Sequence, residues 1–286
     1  MTVVGIVGLG LLGHAVASRL LTAGWEVVGY DLVAARVAEL VRLGGRSATD
    51  VEEVADAEAV CVVLPSLASV EDVILGPAGL VARGRPGHTI VQMSTISPAL
   101  TRRLAREVDG RGLHFLDCPV SGTSAMVAQG DGVVFAGGER AVFERWRTML
   151  DVVLPRPVYV CEAGQAMVLK LVANLLVALH SAAAAEALTM ARRAGLDLPL
   201  VLDVLGSGAA GSRMLEVRGP LILKDEFPAQ MKLELFMKDL HLIQEAAGEI
   251  GARLPLTDVA ERLYAAVHAA GHGPEDLAVV ARAFTA

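Results

Sequence analysis

The sequence is short of aromatic residues, of charge and of cysteine. Aromatics fill 4% of its 286 positions and charged residues 20%, and cysteine occurs three times, at Cys61, Cys118 and Cys161. With so few rings, the 53% of hydrophobic residues is mainly Ala, Val and Leu, a composition suited to helices and to strands buried on both faces. An apolar share this high excludes a disordered chain. Three thiols, odd in number and far apart, make neither a disulfide framework nor a CxxC pair. Positive charge is not in excess either: the net charge is −7 and the pI near 5.5, which leaves no cationic footprint for a nucleic-acid backbone.

Long uncharged runs are also missing. The mean hydropathy of +0.51 raises the question of a membrane span. The longest such run in the second half, Leu171–Ala185, already contains Asn174, His180 and Ser181 and falls short of the ~20 residues that cross a bilayer. The first apolar run has no basic stretch before it and is broken by Gly8, Gly10 and Gly13, unlike a signal peptide. These absences predict a soluble cytoplasmic protein with room for one large or two ordinary domains.

What is present is an alternation. Apolar runs at Val3–Val7, Trp25–Tyr30, Ala59–Leu64, Thr89–Met93, Leu113–Leu116, Gly132–Phe135 and Pro157–Val160 are separated, early on, by helical patterns such as Gly13–Ala23 and Ala34–Leu43. Strand–helix alternation of this kind predicts a mostly parallel sheet with right-handed crossovers. The texture changes after Gly164. From Gln165 to Ala194 there is neither Gly nor Pro, and helical patterns follow at Leu198–Leu205, Leu233–Ile250, Thr257–Ala270 and Glu275–Phe284. The expected fold is therefore an α/β N-terminal Rossmann domain over residues 1–162 and an all-α C-terminal domain over 163–286, joined by a long helix.

Four groups of residues could carry chemistry. Gly8-Leu9-Gly10-Leu11-Leu12-Gly13 fits GxGxxG directly after an apolar run and at the start of a helical pattern, where backbone N–H groups and a helix N-terminus can face a pyrophosphate. A glycine-rich turn that serves only packing reads the same way. Asp31 ends the second apolar run, where an acid can accept from ribose hydroxyls and would repel a 2′-phosphate; this favours NAD and leaves NADP open. Arg36, one turn into the next helix, reads as a solvated arginine. Lys170 and Asn174 lie at i and i+4 on one face of the long helix, in an otherwise apolar run where an unpaired ammonium would be costly. Such a pair suggests a cleft between the two domains in which a lysine moves a proton and an amide holds the reacting oxygen. Snorkelling with a satisfied core amide is the other reading. Asp117-Cys118-Pro119-Val120-Ser121-Gly122-Thr123 leaves a strand with free backbone N–H groups and two hydroxyls that could grip a carboxylate, although a plain strand exit would look much the same. His268 and His272 have metal-ligand spacing but no HExxH context, so no metal site is expected.

Together these blocks resemble the β-hydroxyacid dehydrogenase family, which includes 3-hydroxyisobutyrate dehydrogenase and tartronate semialdehyde reductase. The resemblance covers essentially the whole chain and rests on four blocks in order: Gly5 to Gly13, Asp117 to Gly122 continuing to Ala128 and Gly130, Gly164 with Lys170 and Asn174, and Lys238-Asp239-Leu240. It implies reversible hydride transfer between NAD, or NADP, and a small β-hydroxy acid or its semialdehyde. Lys170 would be the general acid and base, Asn174 would orient the oxygen, and Ser121, Gly122 and Thr123 would bind the substrate carboxylate. Leu64-Pro65 and Thr95 would line the cofactor and Lys238 would reach it. It also implies a homodimer or homotetramer assembled through the helical domains. Thr123 replaces the family's usual second glycine, and Ser212-Arg213-Met214 stands where relatives often carry an aromatic residue, so the substrate stays open. An imine reductase on the same architecture usually has Asp or Tyr in place of the lysine, and a non-catalytic NAD-binding scaffold tends to lose it.

Overall fold

The computed structural model describes residues 2–285 and divides into two compact units, Met1–Lys170 and Leu171–Ala286. Its strands are β1 (Val3–Val7), β2 (Glu26–Tyr30), β3 (Arg46–Ser47), β4 (Ala59–Val62), β5 (Thr89–Gln92), β6 (His114–Asp117), β7 (Val120–Ser121), β8 (Val133–Gly138) and β9 (Val158–Cys161). The helices of the first unit are α1 (Leu11–Thr22), α2 (Ala34–Arg42), α3 (Val51–Val54), α4 (Leu67–Leu75), α5 (Leu80–Arg83), α6 (Pro98–Asp109), α7 (Ser124–Ala128) and α8 (Arg140–Val153). Helix α9 (Gln165–Arg193) follows, then α10 (Leu198–Ser207), α11 (Arg213–Lys224), α12 (Leu233–Glu249), α13 (Pro255–Val267), a π turn at His268–His272 and a 3-10 helix at Leu277–Phe284.

The strands run in the order β3-β2-β1-β4-β5-β6-β8-β7, with β9 also paired to β8. Pairing is parallel from β3 to β6 and antiparallel where β8 meets β6 and β7. Successive residues point to opposite faces, and both faces are covered. Val4, Ile6, Ala59, Cys61, Val91 and Leu116 go to one core, whereas Val7, Val60, Val62, Ile90 and Phe115 go to the other. This double burial is why the strands read as continuous apolar runs. The two shortest strands, β3 and β7, have two residues each and carry no such signal.

The second unit packs the later part of α9 with α11, α12, α13 and the 3-10 helix around Phe236, Leu240 and Tyr264. Tyr264 Oη donates to the carbonyl of Ala178 at 2.9 Å. Helix α11 was not expected from the sequence, because Gly219 and Pro220 break its pattern. It forms because Ser212 caps its start and Leu215 and Ile222 are buried. Helix α9, longer than the uncharged run read from the sequence, is long and apolar enough to cross a membrane by length and composition, and 44% of its most apolar window is buried. The division between the units falls within α9, because Ala166 and Met167 in its first turn are fully buried and Met167 belongs to a core of the first unit.

Arg218 and Asp276, 2% and 0% exposed, form an ion pair at 3.2 Å. The Asp276 carboxylate also accepts from the backbone N–H groups of Gln230, Met231 and Ala278. Removing the cation strands a buried anion, so Arg218→Ala is expected to lower the stability of the second unit by roughly 3 kcal/mol. Arg213→Ala, which breaks the exposed pair with Glu216, is expected to change it little. Urea denaturation followed by circular dichroism checks both; equal effects would contradict the account.

Candidate active site

In a doubly covered sheet the loops after the strand C-termini are free to carry function, above all where the strand order reverses. Here the reversal lies between β1 and β4. Gly8–Gly13 leaves β1, Asp31 leaves β2, Leu64-Pro65 follows β4, Thr95 follows β5 and Ser121–Thr123 follows β6, so the first unit gathers these residues along one edge. Gly8 has φ +95°, and a Cβ there would lie 2.1 Å from the Val63 carbonyl oxygen. A Cβ on Gly13 would lie 1.9 Å from the Gly8 oxygen, whereas Gly10 faces open space. Two glycines thus close the turn and the third leaves its outer face clear. Helix α1 begins with no side chain on its free N–H groups.

Asp31 fixes that loop. One carboxylate oxygen accepts from Leu9 N at 2.7 Å and the other from Val33 N at 2.8 Å. Arg36, read from the sequence as a solvated arginine, is 47% exposed and also pairs with Asp31 at 3.3 Å, since its helix starts three residues past the acid and turns the guanidinium back. A cavity of about 680 Å3 opens beside them, lined in part by Tyr30, Asp31, Val37, Ser47 and Thr49. Within the fingerprint, Leu9 is buried in a core, Leu12 packs against it and Leu11 is 71% exposed. The open face at Gly10, the uncapped start of α1 and the acid-lined cavity fit the diphosphate and adenosine of a dinucleotide.

Leu64 and Pro65 are held by a residue the sequence analysis passed over. Buried Ser94 accepts from Leu64 N at 2.8 Å and donates to the Val62 carbonyl at 3.3 Å. Gln92, fully buried, clamps the same turn through the backbone N–H and carbonyl of Ser94. Half-buried Thr95 comes next. Thr123 caps α7, its hydroxyl oxygen accepting from Met126 N at 3.2 Å. Asp117 points elsewhere than its place in this block suggests: one oxygen accepts from Gly164 N at 2.9 Å and Met167 N at 3.0 Å, at the start of α9. Burial pushes its carboxyl up to about 7, and the two N–H bonds only partly oppose this.

Lys170 lies in the second turn of α9 and is 7% exposed. Asn174, one turn on, is 4% exposed and donates from Nδ2 to the Asp239 carboxylate at 2.8 Å. The other Asp239 oxygen lies 3.3 Å from Lys238 Nζ, so the second unit links Asn174, Asp239 and Lys238 in one polar chain. Asp239 was legible only as part of the Lys238-Asp239-Leu240 signature; its contact with Asn174 spans 65 positions. Arg213 pairs with Glu216 in the first turn of α11. His272 Nδ1 lies 2.7 Å from Glu275, and among the described residues no group of three His, Cys, Asp or Glu could hold a metal.

Comparisons with known proteins match the chain over almost its whole length. Residues 3–161 match the NAD-binding domain of 6-phosphogluconate dehydrogenase, and residues 164–284 match the NAD-binding family of NADP-dependent 3-hydroxyisobutyrate dehydrogenase. The chain is 32% identical to 2-(hydroxymethyl)glutarate dehydrogenase of Eubacterium barkeri over 97% of its own length and 93% of the relative's. It is 34% identical to 2-hydroxy-3-oxopropionate reductase of Escherichia coli K12, covering 91% and 89%. The crystal structure of 3-hydroxyisobutyrate dehydrogenase from Salmonella typhimurium superposes with a TM-score of 0.90, at 32% identity and 99% coverage of both chains. The protein belongs to the β-hydroxyacid dehydrogenase family and is an NAD(P)-dependent oxidoreductase.

The raised Asp117 carboxyl has a consequence for stability. Its folded-state value lies above the ordinary ~3.9, so the stabilising proton is fully bound below about pH 4 and is lost as pH rises through about 7. The thermal midpoint of the first unit is expected to fall between about pH 5 and pH 8 in the wild type more than in Asp117→Asn. Parallel profiles from scanning calorimetry would contradict this.

Proposed function

We propose that the protein catalyses reversible, preferentially NAD-linked oxidation of a small β-hydroxy acid to its semialdehyde, with Lys170 moving the proton. The observation that carries the reading is Lys170 itself, a lysine held at 7% exposure in the second turn of α9, within the unit that carries the dinucleotide fingerprint. A buried lysine is suited to proton transfer. A bound nicotinamide supplies or accepts the hydride. Lys170 Nζ takes the hydroxyl proton in oxidation and returns it in reduction, while Asn174, steadied by Asp239, orients the reacting oxygen. Ser121, Gly122 and Thr123 hold the carboxylate. Gly8 to Gly13, Asp31, Leu64, Pro65 and Thr95 hold the cofactor, and Lys238 is assigned to it as well.

The substrates named for two relatives support one reading of the substrate. 2-(Hydroxymethyl)glutarate and 2-hydroxy-3-oxopropionate share a carboxylate whose α-carbon bears a hydroxymethyl or formyl group. The reading assigns this unit to the substrate, on an acid of about three to six carbons. It also assigns a second copy of the chain as the partner, covering exposed Leu196, Leu200 and Val204 around α10, a helix with no buried residue of its own. Free thiols at all three cysteines suit the cytoplasm.

Following NADH absorbance over a panel of such acids, Lys170→Ala is expected to lower turnover by roughly a hundred- to ten-thousand-fold. Turnover within a few-fold of wild type would refute the assignment. Cofactor choice has its own test. Asp31→Ser removes the anion that opposes a 2′-phosphate and releases Arg36 toward it, so the NAD to NADP ratio of kcat/KM is expected to fall at least roughly tenfold. An unchanged ratio would remove Asp31 from cofactor selection.

A further inference from the structure

We propose that Asp117 is the positioning residue for Lys170, fastening the first turn of α9 to the end of β6, and that it does not contact substrate. The inference rests on the reading of Lys170 as the proton carrier. Asp117 is the last residue of β6, registered against Gln92 on one side and Gly137 on the other, and is fully buried. A helix start leaves N–H groups without partners, and a side chain at the N-cap position usually takes them. Gly164, just before α9, has no side chain, so the acceptor comes from a strand 47 positions earlier.

One oxygen of Asp117 holds both Gly164 N and Met167 N, while its other oxygen is buried with no hydrogen-bond partner among the described residues. The seat is tight on its other sides. A Cβ on Gly164 would come within 2.8 Å of Arg102 Cγ and 3.2 Å of the Pro98 carbonyl oxygen, and one on Gly137 within 3.3 Å of Ala166 Cβ. Lys170 follows Met167 by three residues, ~4.5 Å along the axis, with no glycine or proline to absorb a shift. The helix therefore transmits the position of its anchor to the lysine. A substrate contact fits this geometry poorly, since the group is fully buried and its charged form would repel a carboxylate.

A double-mutant cycle tests the proposal, using single-turnover rates with NADH and the best semialdehyde of the panel. Asp117→Ala is expected to slow reduction at least roughly tenfold, with NADH affinity by fluorescence unchanged within about twofold. Asp117→Asn, whose amide oxygen can accept both N–H groups, is expected to recover most of the rate. In the Lys170→Ala background, Asp117→Ala is expected to change the residual rate less than about twofold, because a residue acting through the lysine has nothing left to position. The same factor in both backgrounds, no recovery with Asn, or a raised substrate KM with kcat intact would each overturn it. Should Asp117→Ala fail to fold, Asp117→Ser, too short to reach both N–H groups, carries the same comparisons. Failure of the Lys170 assignment shows separately, as a Lys170→Ala enzyme that stays active.

Discussion

A parallel sheet buried on both faces can offer chemistry only at its strand ends, and the first unit follows from that constraint. Strands β1, β2, β4, β5 and β6 spend most of their side chains on one core or the other. Recognition is left to the residues where the strands stop, and these must be held without the help of a sheet ladder. The structure holds them with single polar groups, each spanning two loops: Asp31 for the fingerprint, Ser94 for the loop after β4, and Asp117 for the start of α9. Each is at or just beyond a strand end and accepts from backbone N–H groups, so one side chain replaces the hydrogen bonds the sheet no longer supplies.

Two buried ionic arrangements in the second unit show how differently buried charge can be used. Arg218 and Asp276 satisfy one another, and three backbone N–H groups complete the carboxylate, an arrangement that closes on itself. Asp239 joins instead an amide on α9 to an ammonium on α12, two side chains that the family resemblance assigns to the reaction and to the cofactor. The first is explained by packing alone. The second sets the orientation of Asn174 by means of a residue that also holds Lys238, so the two side chains are not independent.

The alternation of strands and helices, the change of texture after Gly164 and the four blocks in order were legible because each is a local pattern. What was missed is long-range or locally contradicted. Helix α11 contains Gly219 and Pro220, and its formation depends on burial that no local pattern announces. Arg36 turns back onto Asp31 because of the angle at which α2 leaves the strand, which spacing does not give. Asp117 read as part of a substrate block because its neighbours do, whereas its side chain faces a helix that begins 48 residues later. Ser94 and Gln92 carried no motif at all, since a buried serine and glutamine in a strand exit look like any others until their partners are known.

Asp31 and Arg36 show how such local detail bears on specificity. An acid after β2 is an anion set against a second anion, and by itself predicts NAD. Here a guanidinium lies against the same carboxylate and offsets part of that repulsion, although at 47% exposure its contribution is screened by water. The carboxylate still accepts from two backbone N–H groups of the first unit, which hold it in place irrespective of the arginine. The geometry therefore sets the anion first and the cation second, and it is on the anion that the proposed preference for NAD rests.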